Sequence, residues 1–207
     1  MIPGKENTTD GERVANPVFL ALPIGAASRA RLAALCDKLR GEFPGVRWVP
    51  PANYHITMRY FGRMDARRLA SIAERAAKVA AEAAATGAVL NRVGRFGGKW
   101  PRVLWAGAGS IPERLAGLAT AMAVAFPKPG PHPFALHATL GRFPARSGRE
   151  AREGWQRALA MLAADPAAGW GERGPVRCRF GELVLYESVP TQGGVRHEPL
   201  ERWPLGC

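Results

Sequence analysis

Two stretches, "YHITMRYFG" at residues 54–62 and "LHATLGRF" at residues 136–143, constrain this chain more than any other part of it. Both alternate with a period of two, the period of a β-strand, and both carry His-x-Thr inside an apolar run. On the first strand Tyr54, Ile56, Met58 and Tyr60 share one face, while His55, Thr57, Arg59 and Phe61 share the other. On the second, Leu136, Ala138 and Leu140 face the core, and His137, Thr139 and Gly141 face away, Gly141 leaving room for a ligand. Any fold that accepts both must bury two apolar strand faces and keep two imidazole–hydroxyl faces open.

The pairing is not cheap by chance. With four His and seven Thr in 207 residues, two coincidental hits have a probability of about 0.7%. Single histidines on strands are more often structural, so the doubling carries the signal. His132, in a Pro-rich loop, and His197, beside Glu198, lack the frame and read as structural or solvated.

The surrounding pattern is α+β with mostly antiparallel sheet. "VFLAL" (residues 18–22) reads as a strand. Ser28 is placed to cap a helix whose apolar face holds Leu32, Leu35, Cys36 and Leu39, ended by Gly41. "VRWV" precedes Pro50 and Pro51 as a short strand. A second helix starts near Asp65, with Leu69, Ile72, Ala76 and Val79 on one face and Thr86-Gly87 at its end. "AVLNRVGRFG" and "RVLWAG" read as two strands joined by a Gly-rich turn. A third helix begins near Pro112 and carries Leu115, Leu118 and Met122. The segment "FPKPGPHPF" is a loop, and Ser147 with Glu150 forms a capping box for a fourth helix, with Trp155, Leu159 and Leu162 inward. After the loop "DPAAGWGERG", three strands follow: "VRCRF", "ELVLYES" and "VRHEPLERW". The order strand, helix, strand, His-strand, helix runs roughly twice, with one motif per half. Residues 1–13 read as a flexible tail and 14–207 as one two-lobed domain.

Two such strands side by side offer two imidazoles and two hydroxyls to one cleft. That set suits phosphodiester hydrolysis: one imidazole takes a proton from the nucleophile and the other gives one to the leaving oxygen. The hydroxyls and an Arg hold the non-bridging oxygens. Histidine suits both roles because its ordinary pKa, about 6.5, lies near neutrality. No His, Cys and carboxylate spacing reads as a metal site, so neither metal nor cofactor is expected. Tyr54, Phe61 and Trp105 are candidates to stack a base, although core or cleft wall is the commoner fate of such residues.

Net charge is +12, from 29 Lys and Arg against 17 Asp and Glu, which favours an anionic partner. An Arg- and Ala-rich composition of genomic origin explains part of it, and no basic block reads as a tail. The apolar runs are too short to span a membrane. The N-terminus has no apolar signal region. The odd set Cys36, Cys178 and Cys207 contains no CxxC, so a reducing, cytoplasmic setting is expected.

With "RWVPPANYHITMRYFG", "RVLWAG", "HATLGR" and "LYESV…VRHEPLERWPL" in this order, the chain resembles the two-histidine phosphoesterase superfamily, and within it the RNA 2′,3′-cyclic phosphodiesterases, also called 2′-5′ RNA ligases. The resemblance implies a two-lobed fold with pseudo-twofold symmetry and helices outside a central cleft. It implies metal-free hydrolysis of a 2′,3′-cyclic phosphate at an RNA end to a 2′-phosphate. The expected partner is RNA with such ends, tRNA fragments or nucleotides included, and the expected state is a monomer. Within that site His137 is read as the proton acceptor that activates water and His55 as the proton donor to the leaving 3′ oxygen, the pseudo-symmetry making the reverse nearly as easy. The resemblance adds Thr57, Thr139 and Arg142 as substrate contacts. Strand parity instead favours Arg59 over Arg142, unless a bulge near Gly141 reconciles the two. Leu136 stands where the family often has Pro. The alternatives are a ligase joining cyclic-phosphate and 5′-hydroxyl ends, and an RNA-binding module without catalysis.

Overall fold

The two His-x-Thr runs fold as strands of two different sheets. The computed structural model describes residues 16–98, 100–127, 134–144, 148–164 and 174–206. In chain order the elements are β1 (Val18–Pro23), α1 (Ala26–Leu39), β2 (Arg47–Trp48), β3 (His55–Gly62), α2 (Ala66–Glu82), β4 (Thr86–Leu90), β5 (Arg92–Phe96), β6 (Val103–Gly107), α3 (Glu113–Ala125), β7 (His137–Arg142), α4 (Arg149–Ala164), β8 (Val176–Phe180), β9 (Glu182–Thr191) and β10 (Gly194–Pro204). One antiparallel sheet runs β10-β9-β1-β3 and carries the first motif at its edge. The other runs β2-β7-β6-β5 and carries the second motif inside it. A third, two-stranded sheet pairs β4 with β8. β3 and β7 touch, so the two motifs meet where the two larger sheets meet.

As far as Met58 and Leu140 the alternation of burial is the one the sequence dictates, whereas beyond them Tyr60, read with the apolar face, is exposed and Gly141, read with the open face, is buried. Ile56 and Met58, and Leu136, Ala138 and Leu140, enter one contiguous core, while His55, Thr57, His137 and Thr139 stay half-exposed. Helix α1 buries Leu32, Leu35, Cys36 and Leu39. Helix α2 buries Ile72, Ala76 and Val79, and its Asp65 carboxylate accepts the Arg68 backbone N–H at 2.7 Å, an N-cap that satisfies one otherwise orphaned donor. Helix α3 follows Pro112 and buries Leu115, Leu118 and Met122. Among the described residues, no helix is long and apolar enough to cross a membrane. Cys36 and Cys178 are buried thiols without a disulfide, and burial pushes each up to about 11.

Three local expectations differ from the structure. Ser28 is not a cap: α1 starts one turn earlier, after Gly25, and the Ser28 hydroxyl donates to the Arg177 carbonyl on β8 at 2.7 Å. Thr86 and Gly87 open β4 and do not merely end α2. The run 88–97 is two strands, broken at Asn91, because β4 leaves to pair with β8 while β5 forms the hairpin with β6. The tail 1–13, His132, Ser147, most of the loop 165–174, the side chains of Glu150, Leu159 and Leu162, and Cys207 lie outside the described residues.

Candidate active site

Both motif strands build their histidine in the same way. His55 Nδ1 lies 2.7 Å from the carbonyl oxygen of Asn53, and His137 Nδ1 lies 2.8 Å from that of Ala135, in each case two residues back. A carbonyl only accepts, so each ring carries its hydrogen on Nδ1 and presents an unprotonated Nε2. His55 Nε2 faces the Thr57 hydroxyl at 3.1 Å. Behind His55 the turn "PPAN" is fixed by Pro50 and Pro51, and its Asn53 is buried. That side chain donates to the Val195 carbonyl at 2.6 Å and accepts the His197 backbone N–H at 3.3 Å. Asn53 thus orients His55 and anchors β10 to the same spot.

Each strand also carries a bulge at the same distance from its histidine. Along β3, Thr57 pairs with Ala21 and Arg59 with Leu20, leaving Met58 extra. Along β7, Thr139 pairs with Trp105 and Gly141 with Leu104, leaving Leu140 extra. An extra residue reverses the alternation beyond it. Arg142 therefore regains the His137 face, and its charge reaches His55, His137 and His197. The same reversal removes the parity argument for Arg59. Its guanidinium donates to the Phe126 carbonyl at the end of α3. The structure brings Arg142, not Arg59, to the histidines. Gly141 serves a purpose other than ligand space: a Cβ there would lie 2.6 Å from the Val46 side chain.

The electrostatics of the cleft disfavour cations. Burial lowers His55 to about 4, aided by the charges of His197, His137 and Arg142 and opposed by the Asn53 hydrogen bond. Burial also lowers His137, with Arg142 adding to the effect and the Ala135 hydrogen bond opposing it. Without a bound anion, the imidazoles near neutral pH are neutral bases in a positive field. That field fits an anion, and an anion would in turn return a proton to one of them.

His197, read from sequence as structural or solvated, sits in this site. Its ring meets His55 edge-on at 5.1 Å and Phe19 at 4.9 Å, and Ser188 Oγ lies 3.4 Å from its Nδ1. Phe19 and Tyr186 complete the surround, with centroids 4.8 and 6.3 Å from His55. On the other side Phe96 and Trp105 stand 4.9 and 6.5 Å from His137. The Trp105 ring lies over Gly94, where a Cβ would approach it to 2.0 Å, and its buried Nε1–H has no partner. Of the aromatic candidates, Trp105 borders the site. Tyr54 is core, its hydroxyl 3.2 Å from Cys36 Sγ, and Phe61 packs on Phe126. Among the described residues no group of three His, Cys, Asp or Glu side chains is placed to hold a metal ion.

The family profile LigT like Phosphoesterase matches residues 22–105. The RNA 2′,3′-cyclic phosphodiesterase of Geobacillus stearothermophilus is 29% identical over 90 residues, which is 43% of this chain and 29% of that relative's length. The crystal structure of E. coli LigT complexed with phosphate superposes with a TM-score of 0.68 at 22% identity, covering 93% of this chain and 99% of that one. A Thermus thermophilus protein superposes with a TM-score of 0.69 at 24% identity, covering 91% and 97%. At these identities the two structures speak for the fold.

Proposed function

We propose that the chain is a LigT-like, two-histidine phosphoesterase that hydrolyses the 2′,3′-cyclic phosphate at an RNA 3′ end to a 2′-phosphate, a reading supported by the family and sequence likeness. The observation that carries this reading is the duplicated geometry: two imidazoles, each locked by an Nδ1–H to a carbonyl, each followed by a threonine and a bulge. An imidazole nitrogen on each side of the phosphate, one to take a proton and one to give one, is what in-line displacement at phosphorus needs.

Water attacks phosphorus opposite the 3′-oxygen. His137 Nε2 takes the water proton as the new P–O bond forms. The bond from phosphorus to the 3′-oxygen breaks, and His55 Nε2 delivers its proton to that oxygen. The products are a 2′-phosphomonoester and a 3′-hydroxyl. Thr57, Thr139 and Arg142 hold the non-bridging oxygens, the guanidinium offering the forked donors that match phosphate. Before attack, the substrate's negative charge offsets the desolvation that keeps His55 neutral.

The test is incubation of an RNA oligonucleotide bearing a 2′,3′-cyclic phosphate, alone and with a 5′-hydroxyl partner. A 2′-phosphate product without partner supports the reading. Joined 2′-5′ product without hydrolysis would assign the site to ligation, and binding without turnover would leave an RNA-binding module.

A further inference from the structure

A groove of about 750 Å3 opens beside His55. Tyr186 and His197 line it, and both rings are neighbours of the His55 ring, so the groove and the site share a wall. Farther along it are Arg29 from α1, Arg179 from β8 and Arg202 from β10. The one carboxylate in the lining, Glu182, pairs with Arg202 at 2.8 Å. Arg29 and Arg179 form no ion pair among the described residues, so the groove keeps an excess of positive charge. Arg29, Arg202 and Glu182 line the groove together with Tyr186, whose hydroxyl feels all three charges. The N-terminus of α1 opens there too. Its cap is Gly25, no side chain caps it, and its first turn has no acidic residue. Free N–H groups and the helix dipole then add to the arginine field.

Three arginines in this Arg-rich chain would mean little if scattered on convex surface. Here they come from three separate elements and converge on one concave wall that runs into a histidine of the site. Guanidiniums prefer phosphate because their planar fork matches two of its oxygens.

We propose that this groove holds the phosphodiester backbone of the RNA strand whose cyclic end lies between His55 and His137, so that the preferred substrate is an oligonucleotide and not a mononucleotide. The proposal rests on the cyclic phosphodiesterase reading above. Two backbone phosphates are engaged, one by Arg29 with the α1 N-terminus and one by Arg179.

The experiment compares kcat/KM for a 2′,3′-cyclic mononucleotide with that for a cyclic-ended tetranucleotide, in wild type and in Arg29→Ala/Arg179→Ala. Expected is an oligonucleotide-to-mononucleotide ratio well above 1 in the wild type. With a salt slope of about −0.7 per phosphate on a single strand, that ratio falls about 7-fold between 50 and 200 mM salt for two contacts. In the double variant both the ratio and its salt dependence collapse. A wild-type ratio near 1, or a variant that leaves the ratio unchanged, overturns the proposal. Binding of a dye-labelled tetranucleotide ending in a 3′-phosphate, read by fluorescence anisotropy, separates the two readings. If no cyclic phosphate is hydrolysed, the catalytic reading has failed, yet the groove still stands if the double variant weakens this binding. It falls if wild type and variant bind alike.

Discussion

Filling the cleft with an anion should draw a proton onto His55. Without one its pKa is about 4, so at pH 6 about 1% of the molecules carry that proton. A unit negative charge about 4 Å from Nε2, at an effective dielectric of about 20, favours the imidazolium by about 4 kcal/mol. That is about 3 pKa units and moves His55 to about 7. At pH 6 its occupancy then rises to about 90%. The sign follows from the depressed value: a group held neutral by burial gains a proton when an opposite charge arrives. Titration calorimetry with sulfate, which does not itself titrate here, in two buffers of different ionisation enthalpy reads the uptake directly. Approach to one proton per site at pH 6, lost in His55→Ala, is expected. Sulfate that binds with no uptake between pH 5 and 7 would refute the reasoning, because His55 would then have to act as an acid from a state it does not occupy.

His55→Ala and His137→Ala should each lower turnover at least about 10²-fold, the scale of a lost general acid or base, with circular dichroism unchanged. Arg142→Gln should lower kcat/KM for the cyclic phosphate, whereas Arg59→Gln should lower the melting temperature, since it removes the donor to the Phe126 carbonyl. Turnover lost in Arg59→Gln and kept in Arg142→Gln reverses the assignment. Gly94→Ala forces a methyl against the Trp105 ring, which cannot move without leaving the wall beside His137. Thermal unfolding should show about 1–3 kcal/mol of destabilisation, the range for overpacking, and a neutral result would mean the ring relocates freely.

Much of this site is legible in the sequence because alternation is a local property. The burial of Ile56, Ala138 and Leu140 and the half-exposure of His55, Thr57, His137 and Thr139 follow from a period of two. What defeats that rule is also local but silent. The bulges at Met58 and Leu140 leave no composition signal, so parity favours Arg59 while the backbone presents Arg142. His197 is hidden for another reason. Its place beside His55 depends on β10 pairing with β9, β9 with β1 and β1 with β3, three registers set by contacts far apart in the chain. The break at Asn91 is of the same kind, since only β8, about 90 residues onward, explains why β4 departs from β5. Asn53 is the residue that could have raised suspicion, as a polar side chain just ahead of a motif histidine in a double-proline turn.

The carbonyls that hold each Nδ1–H also close the back door of each ring. A proton gained on Nε2 has no exit through the far nitrogen, so it leaves by the cleft. In the proposed cycle one turnover therefore ends with His137 charged and His55 neutral, the mirror image of its start. Until solvent exchanges those protons, the enzyme is loaded for the backward reaction. Once the pair is reloaded, cutting and joining differ only in the hydroxyl that His137 deprotonates, water or an incoming 5′-hydroxyl, since either one expels the 3′-oxygen protonated by His55.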